Sequence, residues 1–575
     1  MRSKRTILGL RLVLIPYLVL IPLLLLAACK GAPPAEVAAP AAAESAEAAS
    51  GLAVGSEGMV STAHPIATEA GLATLRQGGN AFDAAVTIAS TLNVVEPMMS
   101  GMGGYGTILV YDAEQREAHY LDASGKIPQA VDSDVYRAPW PGYEENRRNA
   151  KAISTPGAAN AWEAMSERFG TLAWSELLQP AIRAAEEGFI IDERTAWFIE
   201  LAFPDFPEHA RAFYGQDGAP LQAGARLVQQ DLAASLRQLA EHGAAAIYGG
   251  ELGQAIDAAM REAGSFLALQ DLVDDRAEWW QPISIDYRGH EVVTPSAPAG
   301  AFPMLVRLGM MSLGDPSSEG HNSLAYLHRF AEVTKHAYWT RLAFSGDPDV
   351  EPPPYDLLLS EDYWREQVAA IDPAAATPFD ASNIADARTH INTTHFVVAD
   401  RWGNVVSATV TLGNLFGSRI MPKGTGIWLN NSLAYCTFEP KGNPMDAHPG
   451  RRKLSSDAPS FVMRDGKPWI AIGTPGGHTI TQTVAQMIMN AIDFEMNIHD
   501  AIAAPRIAFN VPNHLDVDET LPQEVRDQLA AMGHELRARP LGNANGLTIE
   551  YGEDGAPSRF TGASDPRGTG LAKGY

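Results

Sequence analysis

Cysteine is nearly absent: Cys29 and Cys436 are the two in 575 residues. No disulfide framework can be built from them, so an ordinary buried core must hold the fold. Positive charge is also scarce. Lys and Arg number 43 against 68 Asp and Glu, a formal net charge of −25. A nucleic-acid partner needs a basic surface, so that class is excluded. The metal spacings H-E-x-x-H and C-x-x-C do not occur, and neither does the G-x-S-x-G elbow of α/β-hydrolases. No metal and no other cofactor is expected.

What is present begins at the N-terminus. Arg2, Lys4, Arg5 and Arg11 precede an apolar run from Leu12 to Ala28, broken by Pro16 and Pro22. The run ends Leu26-Ala27-Ala28-Cys29, small residues ahead of a cysteine, as at an export-signal cleavage point. The order resembles a bacterial lipobox, which implies a signal peptide over 1–28 and a lipidated Cys29 tied to a membrane. An uncleaved transmembrane anchor is the other reading. Both place the body outside the cytoplasm, periplasmic or at the cell surface. Residues 29–56 are rich in Ala, Pro and Glu and read as a disordered tether. Cys436, without a partner, reads as a small buried side chain.

From Gly58 the pattern alternates. Helices are expected over 66–77 and 81–92, separated by Gly78-Gly79-Asn80, and strands over 107–111 and 117–121. Residues 155–270 read as mainly helical, 282–294 as strand, and 326–341 as helix. The stretch 347–392 is Pro- and Asp-rich, then polar, and reads as irregular. Hairpins are expected over 396–411 and 461–472, followed by an apolar helix over 480–492. Antiparallel hairpins with segregated helices argue for an α+β fold with layered sheets.

Four stretches could carry chemistry. Thr393-Thr394 opens a β-branched run, which β propensity alone explains. If the chain were cut after Asn392, however, the new α-amine would lie beside the Thr393 hydroxyl. With a pKa of about 8, that amine could serve as its base. Gly476-Gly477 follows a strand and precedes a helix, as a plain turn or as a pair of amides for an oxyanion. Ser455-Ser456 fits a turn or a carboxylate site. Gly101-Met102-Gly103-Gly104-Tyr105-Gly106 spells G-x-G-x-x-G, but it lies between helix and strand, the reverse of a dinucleotide site. It reads as a close backbone approach instead.

These stretches occur in order with Met59–Gly71, Gln77–Ala85, Val95-Glu96-Pro97, Gly346–Asp349, Phe416-Gly417-Ser418, Leu429-Asn430-Asn431 and Thr474–Gly477. Together they resemble the γ-glutamyltransferase (glutathione hydrolase) family over nearly the whole body. The resemblance implies an N-terminal-nucleophile hydrolase, a four-layer αββα sandwich made by two subunits of one precursor. The cut would fall between Asn392 and Thr393, giving a large subunit (57–392) and a small one (393–575). It implies a Thr393 nucleophile supported by Thr411 and an oxyanion held by the Gly476 and Gly477 amides. The substrate would be a small-molecule or peptide amide, and the acyl acceptor an amine or water.

The departures from the family pattern fall on the head-group positions. The arginine that grips the glutamyl carboxylate falls on Ser124, and the aspartate that grips its amine falls on Tyr435, near Ser432. Gly413 and Asn414 stand where an asparagine is common. Ser455 and Ser456 remain. Each lost charge-assisted contact is worth roughly 1.5–3 kcal/mol. Lys126 is a candidate replacement for the arginine. The segment from Tyr435 to Leu454 is shorter than in lid-bearing members. The expected activity is amide cleavage through a threonine acyl-enzyme, on γ-glutamyl or, as in acylase branches, other acyl groups. An inactive, lipid-tethered binding protein is the remaining alternative.

Overall fold

The structure is a computed structural model that describes residues 51–379, 392–510 and 514–575. The signal-peptide reading, most of the tether and the lipidation candidate Cys29 lie outside the described residues. Ala53–Gly55 forms an edge strand paired with Pro557–Ser564. The folded body therefore begins inside the stretch expected to be tether.

Two seven-stranded sheets form the centre. The first runs, edge to edge, Leu571–Gly574, Gly58–Thr62, Thr394–Asp400, Val405–Thr411, Tyr105–Asp112, Glu117–Ala123 and Glu278–Trp280. The second runs Ala53–Gly55, Pro557–Ser564, Asn545–Tyr551, Lys467–Gly473, Ser460–Arg464, His290–Thr294 and Ile283–Tyr287.

Side chains alternate across a strand, and each face here has its own core. Val397, Ala399, Leu109 and Tyr111 of the first sheet meet Phe461, Ala471, Leu547 and Phe560 of the second. Phe396, Val398, Ile108 and Val110 point the other way, into helices that include Pro65–Arg76 and Ala81–Val95. Val462, Ile470 and Ile472 face Phe302–Ser312, Leu324–Phe344 and Ile480–Ile492. The order helix, sheet, sheet, helix is the expected αββα sandwich.

All fifteen residues of Ala81–Val95 are buried, which its nearly uninterrupted apolar sequence requires. Asn80 and Asp83 close its N-terminus as a capping box. The Asp400 carboxylate accepts from Ala81 N at 2.8 Å. The helix is thereby fixed to the end of the strand that starts at Thr394.

The stretch expected to be irregular from 347 contains two short helices, Tyr355–Leu358 and Glu361–Ala369. Ser360 caps the second, and Trp364 is buried in a space that Gly309 leaves open. Proline and aspartate density hid this helix from a reading by composition. Residues 380–391 lie outside the described residues.

Candidate active site

Thr393 sits at the start of the Thr394–Asp400 strand, and Thr411 ends the neighbouring one. Antiparallel register pairs Thr394 with Val410, so the two threonines meet at one end of the sheet. Their hydroxyl oxygens are 3.2 Å apart. Thr393 Oγ1 lies against the carbonyl oxygen of Asn392, and Thr411 Oγ1 donates to that carbonyl at 3.3 Å. Gly413 N donates to Thr411 Oγ1 at 2.9 Å, which fixes the supporting hydroxyl.

The strand behind Thr393 is held from both sides. Thr394 Oγ1 donates to Glu96 Oε2 at 2.7 Å, and burial raises the Glu96 carboxyl above its ordinary range. His395 is buried, with Nδ1 2.9 Å from Thr409 Oγ1, and desolvation pushes it down to about 3, so it is neutral. Asn545 Nδ2 donates to His395 O at 2.8 Å and accepts at Oδ1 from Ser61 Oγ at 2.9 Å, tying the two sheets together.

The glycine loop reads as expected. A Cβ on Gly103 would strike Trp428 O, and one on Gly104 would strike Thr411 O, so the backbone packs directly against the site. Gly476 and Gly477 have φ of 142° and 59° and follow the Lys467–Gly473 strand. That strand ends with Gly473 against the His395 ring. Among the described residues neither glycine amide donates to a backbone acceptor.

The head-group candidates divide. Tyr435 OH donates to Asn414 Oδ1 at 2.9 Å, and Asn414 N donates to Asn431 Oδ1 at 2.7 Å. The Tyr435 ring packs over Gly413. These residues line the site. Ser455 is buried, its Oγ donates to Asp457 Oδ2 at 2.6 Å, and it lies 3.1 Å from Thr107 Oγ1. Ser456 Oγ accepts from Arg341 Nη2 at 3.1 Å.

Ser124 and Ser432 do not face the site. Ser124 is fully buried, and its hydroxyl donates to Asp122 Oδ2 at 3.0 Å. Ser432 is fully buried too, with its hydroxyl against Ser154 Oγ and its amide donating to Asn430 Oδ1 at 3.1 Å. Small hydroxyls in a buried backbone network satisfy their neighbours instead of a ligand. Lys126 is no stand-in for the missing arginine either, since its Nζ lies 3.5 Å from Glu278 Oε1 at the rim. Arg452 is likewise committed, to Glu278, Asp347 and Asp349. Cys436 is a free, buried thiol, as expected.

Three charged residues escaped the sequence reading. Lys453 is 2% exposed, with Nζ 4.4 Å from the Tyr105 ring centre and 5.3 Å from that of Tyr435. Desolvation lowers its ammonium to about 8. Asp457 is buried and raised to about 6 by desolvation. Arg341 is 5% exposed, and its Nε has no partner. Charge near a serine pair is not a burial signal in sequence; only the fold shows these groups turned inward. One metal-type cluster exists among the described residues, His328, Glu332 and His534. Its groups are already occupied. Lys335 Nζ donates to Glu332 at 2.6 Å, the two rings bond each other at 2.9 Å, and His328 Nε2 bonds Asp372 O at 2.8 Å.

A two-sheet αββα sandwich with a threonine opening a central strand beside a second threonine defines an N-terminal-nucleophile hydrolase. The chain belongs to the gamma-glutamyltranspeptidase family, whose sequence model matches residues 67–575. It is 32% identical over 548 residues to a glutathione hydrolase proenzyme of Bacillus subtilis (strain 168), covering 91% of this chain and 92% of that protein. It is 35% identical over 533 residues to the acylase ACY 1 proenzyme of Pseudomonas sp. (strain SE83), covering 90% and 93%. A cephalosporin acylase from Bacillus halodurans superposes with a TM-score of 0.83 at 27% identity, covering 91% and 97%. The gamma-glutamyltranspeptidase of Helicobacter pylori gives 0.53 at 30% identity, covering 55% and 92%. The chain is thus an amide hydrolase of this family, and its relatives include both hydrolases and acylases.

Proposed function

We propose that this chain is an exported, self-processing amidohydrolase whose acyl preference has moved away from the γ-glutamyl group. The observation that carries the processing step is the position of Thr393 Oγ1 against the Asn392 carbonyl, with Thr411 Oγ1 beside both. Attack of the hydroxyl on that carbonyl breaks the Asn392–Thr393 amide and forms an ester. Water then cleaves the ester, leaving an Asn392 carboxylate and a free Thr393 amine. The large subunit (57–392) and the small subunit (393–575) stay packed through shared sheets.

In the mature site the Thr393 hydroxyl attacks the substrate amide carbonyl. The α-amine takes the hydroxyl proton and delivers it to the leaving amine. The Gly476 and Gly477 amides hold the tetrahedral oxyanion. Water or an amine then takes the acyl group from the ester. The shift in preference is supported by Tyr435 bonded to Asn414 and by Ser124 turned into the core. Neither position offers a charge to a glutamyl head group.

Intact-mass spectrometry tests the first part: two chains are expected, the smaller beginning at Thr393. A single chain in wild type would overturn it. Mass spectra after soaking with a panel of amides should show one acyl group retained on the smaller chain. Turnover of γ-glutamyl-p-nitroanilide with a sub-millimolar KM would restore the glutathione hydrolase reading. Export and anchoring through Cys29 are checked by lipid labelling, which Cys29→Ala should abolish.

A further inference from the structure

The buried helix Ala81–Val95 ends at its cap residue Glu96, and that residue reaches both threonine strands. Its carboxyl meets the strand of the nucleophile: Thr394 Oγ1 donates to Glu96 Oε2 at 2.7 Å. Its backbone carbonyl accepts from Met99 N at 2.9 Å and so closes the turn 96–99. That turn meets the strand of the supporting threonine. Leu412 N donates to Met99 O at 2.8 Å, and Phe416 N donates to Met98 O at 3.0 Å. Leu412 directly follows Thr411, as Thr394 directly follows Thr393. One residue thus holds the chain next to each threonine.

Sheet pairing alone would keep the strand in place, since Thr394 already pairs with Val410. The carboxyl needs its own explanation. Glu96 is 7% exposed, and burying a carboxylate is costly. A neutral amide side chain would accept the same bond at less cost. A carboxylate adds strength, because a charge-assisted hydrogen bond is roughly twice a neutral one. Asp192 and Arg194, at the start of the helix Glu193–Ala202, act on Glu96 with opposite sign. The other face of the strand is held by Asn545 Nδ2, which donates to His395 O at 2.8 Å. Side chains alternate along a strand, so Glu96 meets Thr394 on the face away from the Thr393 hydroxyl.

We infer that Glu96 is a positioning residue that keeps Thr393 and Thr411 at reacting distance, through Thr394 on one strand and Leu412 on the other. It acts in self-cleavage and in turnover alike. The 3.2 Å separation of the two hydroxyls depends on this latch as well as on sheet register. The inference rests on the proposed Thr393 nucleophile and adds a residue to its machinery. In the uncut chain the Thr393 nitrogen is an amide and does not titrate. Burial raises the Glu96 carboxyl above the ordinary glutamate range, so falling pH neutralises it early. Neutralisation weakens the bond from Thr394, and self-cleavage should slow with it.

The test follows self-cleavage of the full chain by intact mass between pH 5 and pH 8. Glu96→Gln should be several-fold slower than wild type at pH 8 and converge with it towards pH 5. In the processed enzyme the same variant should lose kcat at pH 8 with KM unchanged. Thr394→Val should be at least tenfold slower at every pH, Thr394→Ser should recover most of that, and the double variant Glu96→Gln, Thr394→Val should be no slower than Thr394→Val. Parallel pH profiles for wild type and Glu96→Gln would overturn the inference, as would additive losses in the double variant. A second arm does not need cleavage. In the Thr393→Ala chain, Glu96→Ala should speed hydrogen exchange at least tenfold at the amides of 394–396 and Leu412, and leave the Lys467–Gly473 strand unchanged. Unchanged exchange at those amides would overturn the latch even if wild type stayed in one piece. Faster exchange together with an uncut wild-type chain would overturn only the acyl-enzyme reading.

Discussion

Thr393 and Thr411 stand on paired central strands, with hydroxyls 3.2 Å apart and every neighbour a backbone group or a neutral side chain. The charged and aromatic groups around the serine pair stand mostly outside the sheets: Tyr435 ends a short 3-10 helix, Lys453 and Asp457 are on a loop, and Arg341 is on the helix Leu324–Phe344, with Ser124 turned inward. The first region rests on sheet register, and register cannot drift without flipping every side chain along the strand. The second rests on side chains outside the sheets, where one substitution changes what is recognised and leaves the sheet intact. Reaction chemistry and substrate choice are therefore separable in this molecule.

Removing the nucleophile gives the largest effect. Thr393→Ala should leave one uncut chain by intact mass and lower amide turnover by at least roughly 10³-fold. Any processing in that variant would show that another group attacks the Asn392 carbonyl. Next comes the oxyanion turn. Gly476→Ala places a Cβ 2.6 Å from Thr479 Oγ1 at a φ of 142°, so the turn must shift. A fall in kcat of roughly 10²-fold with little change in KM is expected. If KM rose alone, the turn would hold ground-state substrate and not the oxyanion.

The same division governs what could be read from sequence. The α+β class with layered sheets, the hairpin around Arg401–Asn404 and the Ile480–Ile492 helix follow from local periodicity and turn chemistry, while the αββα order comes from the family resemblance. The pairing of Thr393 with Thr411 is expected from the family resemblance, and the strand register brings their hydroxyls to 3.2 Å. Ser432 and Ser124 were misread as ligand contacts because sequence shows a hydroxyl but not its direction. Ser154 and Asp122, distant or adjacent in the chain, claim those hydroxyls. Lys453 and Arg341 were missed for the converse reason. Lysine and arginine are usually solvated, and only the packing of Tyr105, Tyr435 and Tyr338 around them shows otherwise.

Thr411→Val sharpens the comparison from the chemical side. It keeps shape but removes the hydroxyl that meets Thr393 Oγ1, Asn392 O and Gly413 N. Turnover should fall about tenfold, the value of one such hydrogen bond, on carboxylate and neutral acyl donors alike. Thr411→Ser should recover most of it. A change in the ratio between donors would mean that the two regions are coupled after all.

The smallest effect lies among the buried acids away from the threonine pair. Desolvation raises Asp122 and Asp457 to about 6 and Asp275 to about 7. Asp275 takes one hydrogen bond from Asn160 Nδ2 at 2.9 Å, while its Oδ1 is buried without a partner. A carboxyl raised in the fold binds its proton more tightly than in the unfolded chain. Its stabilising contribution is complete below about pH 4 and is lost as pH rises through about 7. Asp275→Asn is neutral at every pH and removes that loss. Its melting temperature relative to wild type should therefore be higher at pH 8 than at pH 5, by thermal denaturation at the two values. The Thr393–Thr411 pair contains no carboxyl or imidazole, so Thr411→Val should show the same stability difference from wild type at both. An equal offset for both variants would mean that the Asp275 carboxyl is as insensitive to pH as the strand threonines.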